Sequence, residues 1–234
     1  MISHKHKCVF VHIPKAAGKS IEQMFLNDLS WSKDKARVPF LLLINPSKEN
    51  GPPRLAHLTA KQYTEFNYIS DETFQEYYTF GWVRNPYGRI YSFYKYFCYN
   101  YLISFEKFVL IYLKENFHND KLNYFYRPMY DFLYIDGERA VDYVGKLESI
   151  NDDVQNVIDS LGMTAKSLPH ENKSNNIRFK LKLRRLFDII KSHPSIIFNY
   201  TFSKSKKGKK YSSDMKKVMK ELYAKDFESF NYDF

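Results

Sequence analysis

Cys8-Val-Phe-Val-His-Ile-Pro-Lys-Ala-Ala-Gly-Lys-Ser20 constrains this chain more than any other segment. Val9, Phe10, Val11 and Ile13 form a β-branched and aromatic run, which predicts a buried strand over 8–13. The run breaks at Pro14, crosses small residues and enters an amphipathic segment that predicts a helix over 20–29. A strand, a tight loop of small residues and a helix N-terminus together make an anion pocket. Backbone N–H groups converge there, the helix dipole favours negative charge, and a lysine adds a full positive one. Phe80-Gly-Trp-Val-Arg-Asn-Pro-Tyr-Gly-Arg-Ile-Tyr-Ser92 repeats the plan: a strand over 78–83, an arginine, a turn at Asn85-Pro86, and a helix over 87–99 carrying Ser92. Two such sites on one parallel sheet suit a ligand with two separated anionic groups.

The remaining pattern alternates strands and helices. A short strand near Arg54–Leu58 is expected, then helical turns around Thr59–Phe66 and Asp71–Glu76, and a helix over Phe105–Asn116. After a loop at Arg127-Pro128 comes a strand over Tyr143–Leu147. Asn151-Asp152-Asp153 is expected to cap a helix reaching Leu161, with Gly162 placed to stop it. Ser212–Phe227 has helical periodicity, with Met215, Val218, Met219 and Leu222 on one face. This order predicts an α/β fold: a single domain over 1–234 with a central parallel sheet flanked by helices. Residues 173–210 read as a basic lid or insertion around one short helix, Leu181–Ile190. The ring-rich run from Tyr87 to Tyr101 reads mainly as core packing, with stacking on a sugar or an adenine as the other use.

At 234 residues the chain is long enough for a substantial core. Its net charge of +10, from 36 Lys+Arg against 26 Asp+Glu, favours an anionic partner. A doubly anionic nucleotide or an acidic glycan accounts for it as well as nucleic acid does. Cys8 and Cys98 are too few for a disulfide scaffold, neither has metal-ligand spacing, and Cys8 reads as a small core residue. No apolar run reaches the ~18–20 residues needed to span a bilayer, and the N-terminus lacks a signal-peptide core. A cytoplasmic protein is expected, so the sequons at Asn172 and Asn199 read as chance matches.

Pro14-Lys15-Ala16-Ala17-Gly18-Lys19-Ser20 resembles the 5′-phosphosulfate loop of sulfotransferases, and Arg84-Asn85-Pro86 with Ser92 resembles their 3′-phosphate motif. The carbohydrate sulfotransferases are the branch it is most similar to. Lys146-Leu-Glu148, Asn172-Lys-Ser174 and the ending Tyr223-Ala-Lys-Asp226…Phe230-Asn-Tyr232 extend the likeness along most of the chain. The family usually has two glycines and then Thr or Ser in the first loop, and here Ala17 and Lys19 take two of those places. The resemblance implies a P-loop-like fold that binds 3′-phosphoadenosine 5′-phosphosulfate, no metal, and a carbohydrate hydroxyl as acceptor, as in polysaccharide biosynthesis. It also implies roles. Lys15 contacts the bridging oxygen and 5′-phosphate, and Ala16, Ala17, Gly18, Lys19 and Ser20 surround the same anion. Arg84 forks onto the 3′-phosphate and Ser92 adds a hydroxyl. By position alone, Arg89 reads either as a further reach to that region or as a surface residue. His57 lies between the two motifs as the candidate base, since an imidazole titrates near neutrality. His12 supports the loop, Glu148 and His170 are alternative bases, and Lys207-Gly208-Lys209 would close over the nucleotide.

Three other readings stay open at this level. A P-loop kinase shares the Gly18-Lys19-Ser20 tail, but its first glycine position is Ile13 and no strand ends in a magnesium-binding aspartate. A nucleic-acid-binding module would carry a basic helix or stacking motif, and neither is distinct. A sulfotransferase that binds donor without turnover is compatible with Ala17 and Lys19.

Overall fold

The computed structural model describes residues 1–45, 50–118, 123–165, 167–169, 179–192, 194–197 and 211–234. Asn172, His170, Asn199, Lys207-Gly208-Lys209 and both basic ends of the expected lid lie outside them. The chain divides into two compact units. Met1–Arg84 with Arg127–Glu171 forms the first, and Asn85–Tyr126 with Asn172–Phe234 the second. Among the described residues no helix is long and apolar enough to cross a membrane.

The first unit is α/β. Its strands are β1 (Ile2–Ser3), β2 (Cys8–Val11), β3 (Tyr78–Val83), β4 (Tyr134–Ile135), β5 (Glu138–Arg139) and β6 (Tyr143–Lys146). The main sheet has the order β1-β2-β3-β6. Cys8 to Val11 run parallel to Tyr78 to Gly81, and Phe80 to Val83 run parallel to Tyr143 to Lys146. The expected parallel sheet is therefore present, with β1 added antiparallel at its edge. A two-residue strand is too short to show a period in the sequence. β4 and β5 form a separate hairpin whose turn, Asp136-Gly137, takes positive φ at both residues.

Cys8, Phe10, Phe80 and Trp82 share a core cluster with Ile21, Met24 and Phe25 of the helix Gly18–Asp28 and with Val154, Val157 and Ile158 of the helix Ile150–Leu161. Spacing of i, i+3, i+4 in both helices turns one apolar stripe to the sheet. Phe80 stacks between Phe10 and Phe25, at ring separations of 5.2 and 6.1 Å. The Cys8 thiol is pushed up to about 12 by burial, as suits an inert core residue. The next residue along β3, Gly81, faces the other way, towards Leu133.

Three local expectations need correction. Arg54–Leu58 is not a strand: Arg54 makes one isolated bridge to Ile44, and Leu55–His57 is a 3-10 turn. Thr59 starts the helix Ala60–Glu65 with a capping box, which leaves no room for an extended run. The first helix begins at Gly18 rather than Ser20, because Ala17 takes the N-cap in the left-handed region at φ 64°. The helix ending at Gly162 is preceded by Ser149, with no side-chain cap. Asp153 instead accepts hydrogen bonds from Lys146 N (2.6 Å), Ser149 Oγ (2.7 Å) and Tyr143 Oη (3.1 Å), tying the helix to the end of β6.

The described part of the second unit is helical. Asn85 Oδ1 accepts from Tyr87 N (3.0 Å) and Gly88 N (3.4 Å), and Pro86 opens the helix Pro86–Tyr96. Phe93, Tyr94, Tyr99, Phe108, Tyr112 and Tyr126 are buried together, so these rings are core. Ser104 caps a run from Phe105 to Asn116 that is helical throughout, with a π-helical stretch at Phe108–Leu113. The helix Ser213–Ser229 buries Met215, Val218, Met219, Tyr223 and Phe227 and kinks at Tyr223. Phe179–Ser192 is the helix expected inside the lid. Arg89 is 1% exposed and donates from Nη2 to Phe125 O (3.0 Å), so it is a core residue of this unit.

Close packing in β6 yields a test. A Cβ at Gly145 would stand 2.5 Å from Trp82 Cε2, and Trp82 is fully buried. Gly145→Ala is expected to cost ~1–3 kcal/mol of stability by overpacking, read from urea unfolding midpoints.

Candidate active site

The site grows from the carboxyl ends of the parallel strands. Lys15 follows β2, Arg84 follows β3 and Glu148 follows β6, at the end where open α/β sheets bind ligands. After Val11 the chain turns tightly. Ala16 N donates to Ile13 O (3.3 Å), and both Lys15 (φ 68°) and Ala17 (φ 64°) adopt the left-handed conformation. That backbone favours glycine, so the alanine at 17 carries steric strain. The 11-residue helix Gly18–Asp28 then starts with no acidic residue in its first turn.

Gly18 is required by a side chain. A Cβ there would lie 1.8 Å from His12 Nε2. The His12 ring stacks on Phe10 at 5.5 Å, and its Nδ1–H donates to Glu22 Oε1 at 2.7 Å. Burial alone would raise the Glu22 carboxyl, but the charge and hydrogen bond of His12 outweigh it and hold the group below its ordinary 4.5. His57 meets His12 edge to face at 4.6 Å. Its Nδ1 lies 3.1 Å from the His12 carbonyl oxygen, which can only accept, so Nδ1 carries the proton and Nε2 is the acceptor nitrogen of the neutral ring. Burial, then the His12 charge, lowers the pKa of His57 well below 6.5 and keeps it neutral at pH 7.

Arg84 reaches the same loop: its Nη1 donates to Lys15 O at 3.3 Å, while its backbone N–H points to Met129 Sδ at 3.4 Å. The first unit therefore brings together Lys15, Ala16, Ala17, Gly18, His12, His57 and Arg84. Lys15 and Arg84 are half-buried, Ser20 is buried, and Lys19 is exposed one residue after Gly18. Glu148 is exposed on the turn after β6. Ser92 is half-buried on the helix Pro86–Tyr96 of the second unit. Sequence reasoning missed Glu22. Its only signal was an acidic residue one turn after Gly18, and the contact with a histidine ten residues earlier needs the folded turn. Among the described residues, no group of three or more His, Cys, Asp or Glu side chains is placed to hold a metal ion.

The family profile described as "Sulfotransferase family" matches residues 1–233. The chain belongs to the sulfotransferase family. One relative, an uncharacterized protein of Archaeoglobus fulgidus, is 30% identical over 100 residues, which is 42% of this chain and 78% of that protein. No solved structure matches. In this sulfotransferase the Arg84 guanidinium meets the first loop, and the helix that follows starts without an acidic residue, an arrangement that suits an anionic ligand.

Two measurements probe this geometry. Ala17→Gly removes the left-handed strain and is expected to stabilise the fold by ~1 kcal/mol in urea unfolding. His57 has a depressed folded pKa, so below pH 6.5 the unfolded chain binds more protons than the folded one. Stability is therefore expected to fall as pH drops from 6.5 through the folded value. In unfolding titrations at pH 7.5 and 5.5, His57→Gln should lose less stability on acidification than the wild type.

Proposed function

We propose that this sulfotransferase moves a sulfuryl group from 3′-phosphoadenosine 5′-phosphosulfate to a hydroxyl of a carbohydrate. The observation that carries the reading is the approach of Arg84 Nη1 to Lys15 O, which joins the residues of both donor motifs at one loop. The donor supplies the sulfuryl group and a phosphate leaving group, and positioning and electrostatics are what the protein adds. Lys15 and Lys19 place positive charge at the start of the helix Gly18–Asp28, with Ala16, Ala17, Gly18 and Ser20 shaping the loop around the 5′-phosphosulfate. Lys15 opposes the negative charge that grows on the leaving phosphate oxygen as its bond to sulfur breaks. Arg84 offers a forked donor to the 3′-phosphate, and Ser92 keeps its motif-based assignment to the same group.

His57 serves as the base. Its Nδ1–H is tied to the His12 carbonyl, so Nε2 takes the proton of the acceptor hydroxyl as that oxygen bonds to sulfur. A lowered pKa keeps the lone pair available at pH values where an ordinary histidine is half protonated. Gly18 and Glu22 act through His12, one by leaving room for the ring and the other by holding its Nδ1. The carbohydrate acceptor and a P-loop-like donor fold rest on the sequence resemblance.

Lys15 and His57 separate binding from chemistry. Lys15→Ala is expected to lower both affinity for the 3′,5′-bisphosphate product and the transfer rate. His57→Ala should leave that affinity intact and slow transfer ~10²–10⁴-fold. The wild-type rate should persist to a lower pH than an unperturbed histidine allows. Labelled-donor transfer and calorimetry read both effects, and transfer by His57→Ala at the wild-type rate would remove the histidine from the mechanism.

A further inference from the structure

The helix Phe179–Ser192 is seated on the second unit by one face and turns a mixed apolar and basic face outward. On the seated side Ile189 is 5% exposed, within the aromatic core of that unit. The Arg185 guanidinium stands 4.2 Å above the Tyr96 ring and donates to the Tyr96 carbonyl, and Lys182 Nζ donates to Tyr101 Oη at 3.2 Å. Those contacts fix which way the helix faces. On the outer side Leu183 is 51% exposed and Phe187 is 66% exposed. Their i, i+4 spacing makes one ridge of the two, with Phe187 ~160° around the helix from Ile189. Arg184 and Lys191 are exposed and lie ~40–60° from Phe187, along one side of that ridge. A single exposed leucine needs no reason, but a leucine and a phenylalanine side by side and rimmed by cations do.

We infer that this face docks the protein on an anionic membrane surface. The helix lies in the plane of the interface, the Leu183–Phe187 ridge enters the boundary between headgroups and acyl chains, and Arg184 and Lys191 extend to lipid phosphates and carboxylates. Charge complementarity selects this occupant. The chain carries a net charge of +10, and within this helix Lys180, Lys182, Arg184, Arg185 and Lys191 stand against Asp188 alone. A nucleic acid or other soluble polyanion pairs with the cations but leaves Leu183 and Phe187 in water. A bilayer deforms around a protruding ridge, whereas a protein partner has to bring a groove that matches it. Tyr101, 50% exposed and held by Lys182, adds an amphipathic ring of the kind that sits at headgroup level. The face belongs to the second unit and does not depend on the transfer reaction.

The test is co-sedimentation of the full chain with vesicles of about 30% phosphatidylserine in phosphatidylcholine, beside vesicles of phosphatidylcholine alone. The chain is expected to bind the anionic vesicles, less so as salt rises, and to leave the neutral ones largely in the supernatant. The double variant Leu183→Ser/Phe187→Ser should keep the wild-type melting temperature, since both side chains are exposed, and bind the anionic vesicles roughly tenfold less. Arg184→Gln/Lys191→Gln should weaken that binding roughly 30-fold, the effect of removing two basic residues from an anionic surface. No binding to anionic vesicles, equal binding to neutral ones, or wild-type binding by either variant would overturn the inference. Soluble polyglutamate that binds as tightly as the vesicles, and loses affinity in the serine variant, would assign the face to an acidic protein and overturn it as well. No transfer is read in this experiment, so its failure leaves the proposed reaction standing.

Discussion

The His12 imidazole occupies the space that a side chain at residue 18 would fill, and the architecture of the site follows from that contact. With the ring in place, only glycine fits at the first helical position. The ring is held from both sides, by the Phe10 face and by the Glu22 carboxylate, so it is a fixed part of the strand-to-helix turn. His57 then docks on His12 twice, edge to ring and Nδ1–H to carbonyl oxygen. A residue 45 positions later in the chain thereby receives its tautomer from the same turn. Burying two imidazoles in contact disfavours charge on His57, and that sets its state at neutral pH.

Beneath this turn, aromatic stacking adds to the ladder that holds the sheet. Phe10 and Phe80 are paired in register across β2 and β3 and stack on one another, which fixes where Val11 and Val83 end. Those two ends place Lys15 and Arg84 side by side. A one-residue slip in either strand would turn Phe10 or Phe80 to the opposite face and take the basic residues apart. The glycines of β3 and β6 serve the same packing: Gly81 admits Leu133 and Gly145 admits Trp82.

Much of this was legible in the sequence because the signals were local. The β2 run, Tyr78–Val83, the Asn85-Pro86 helix start and the Gly162 stop all depend on residues within a few positions of one another, and the structure has each of them. The misreadings lie where a neighbour in sequence competes for the backbone. Leu55 and Leu58 resemble strand residues, but the Thr59 capping box claims the following turn. Asn151-Asp152-Asp153 resembles a cap, but Asp153 is drawn to the amide of Lys146. Arg89 is a different case: it lies a few residues after Arg84-Asn85-Pro86 but is buried against the Phe125 carbonyl, a contact between residues 36 positions apart.

By itself the sequence determined the family and the alternation that builds a parallel sheet, since those depend on residue type at fixed short spacing. It also determined that Lys15 follows the strand begun at Cys8 and Arg84 the strand begun at Tyr78. Tertiary structure alone decided which groups act on each other. The Glu22 carboxylate on His12, the His12 carbonyl on His57 and the Arg84 guanidinium on the Lys15 loop join residues 10, 45 and 69 positions apart. Protonation states and hydrogen-bond partners depend on burial and on distances of about 3 Å. Spacing along a chain does not carry that information until the sheet brings the strand ends together.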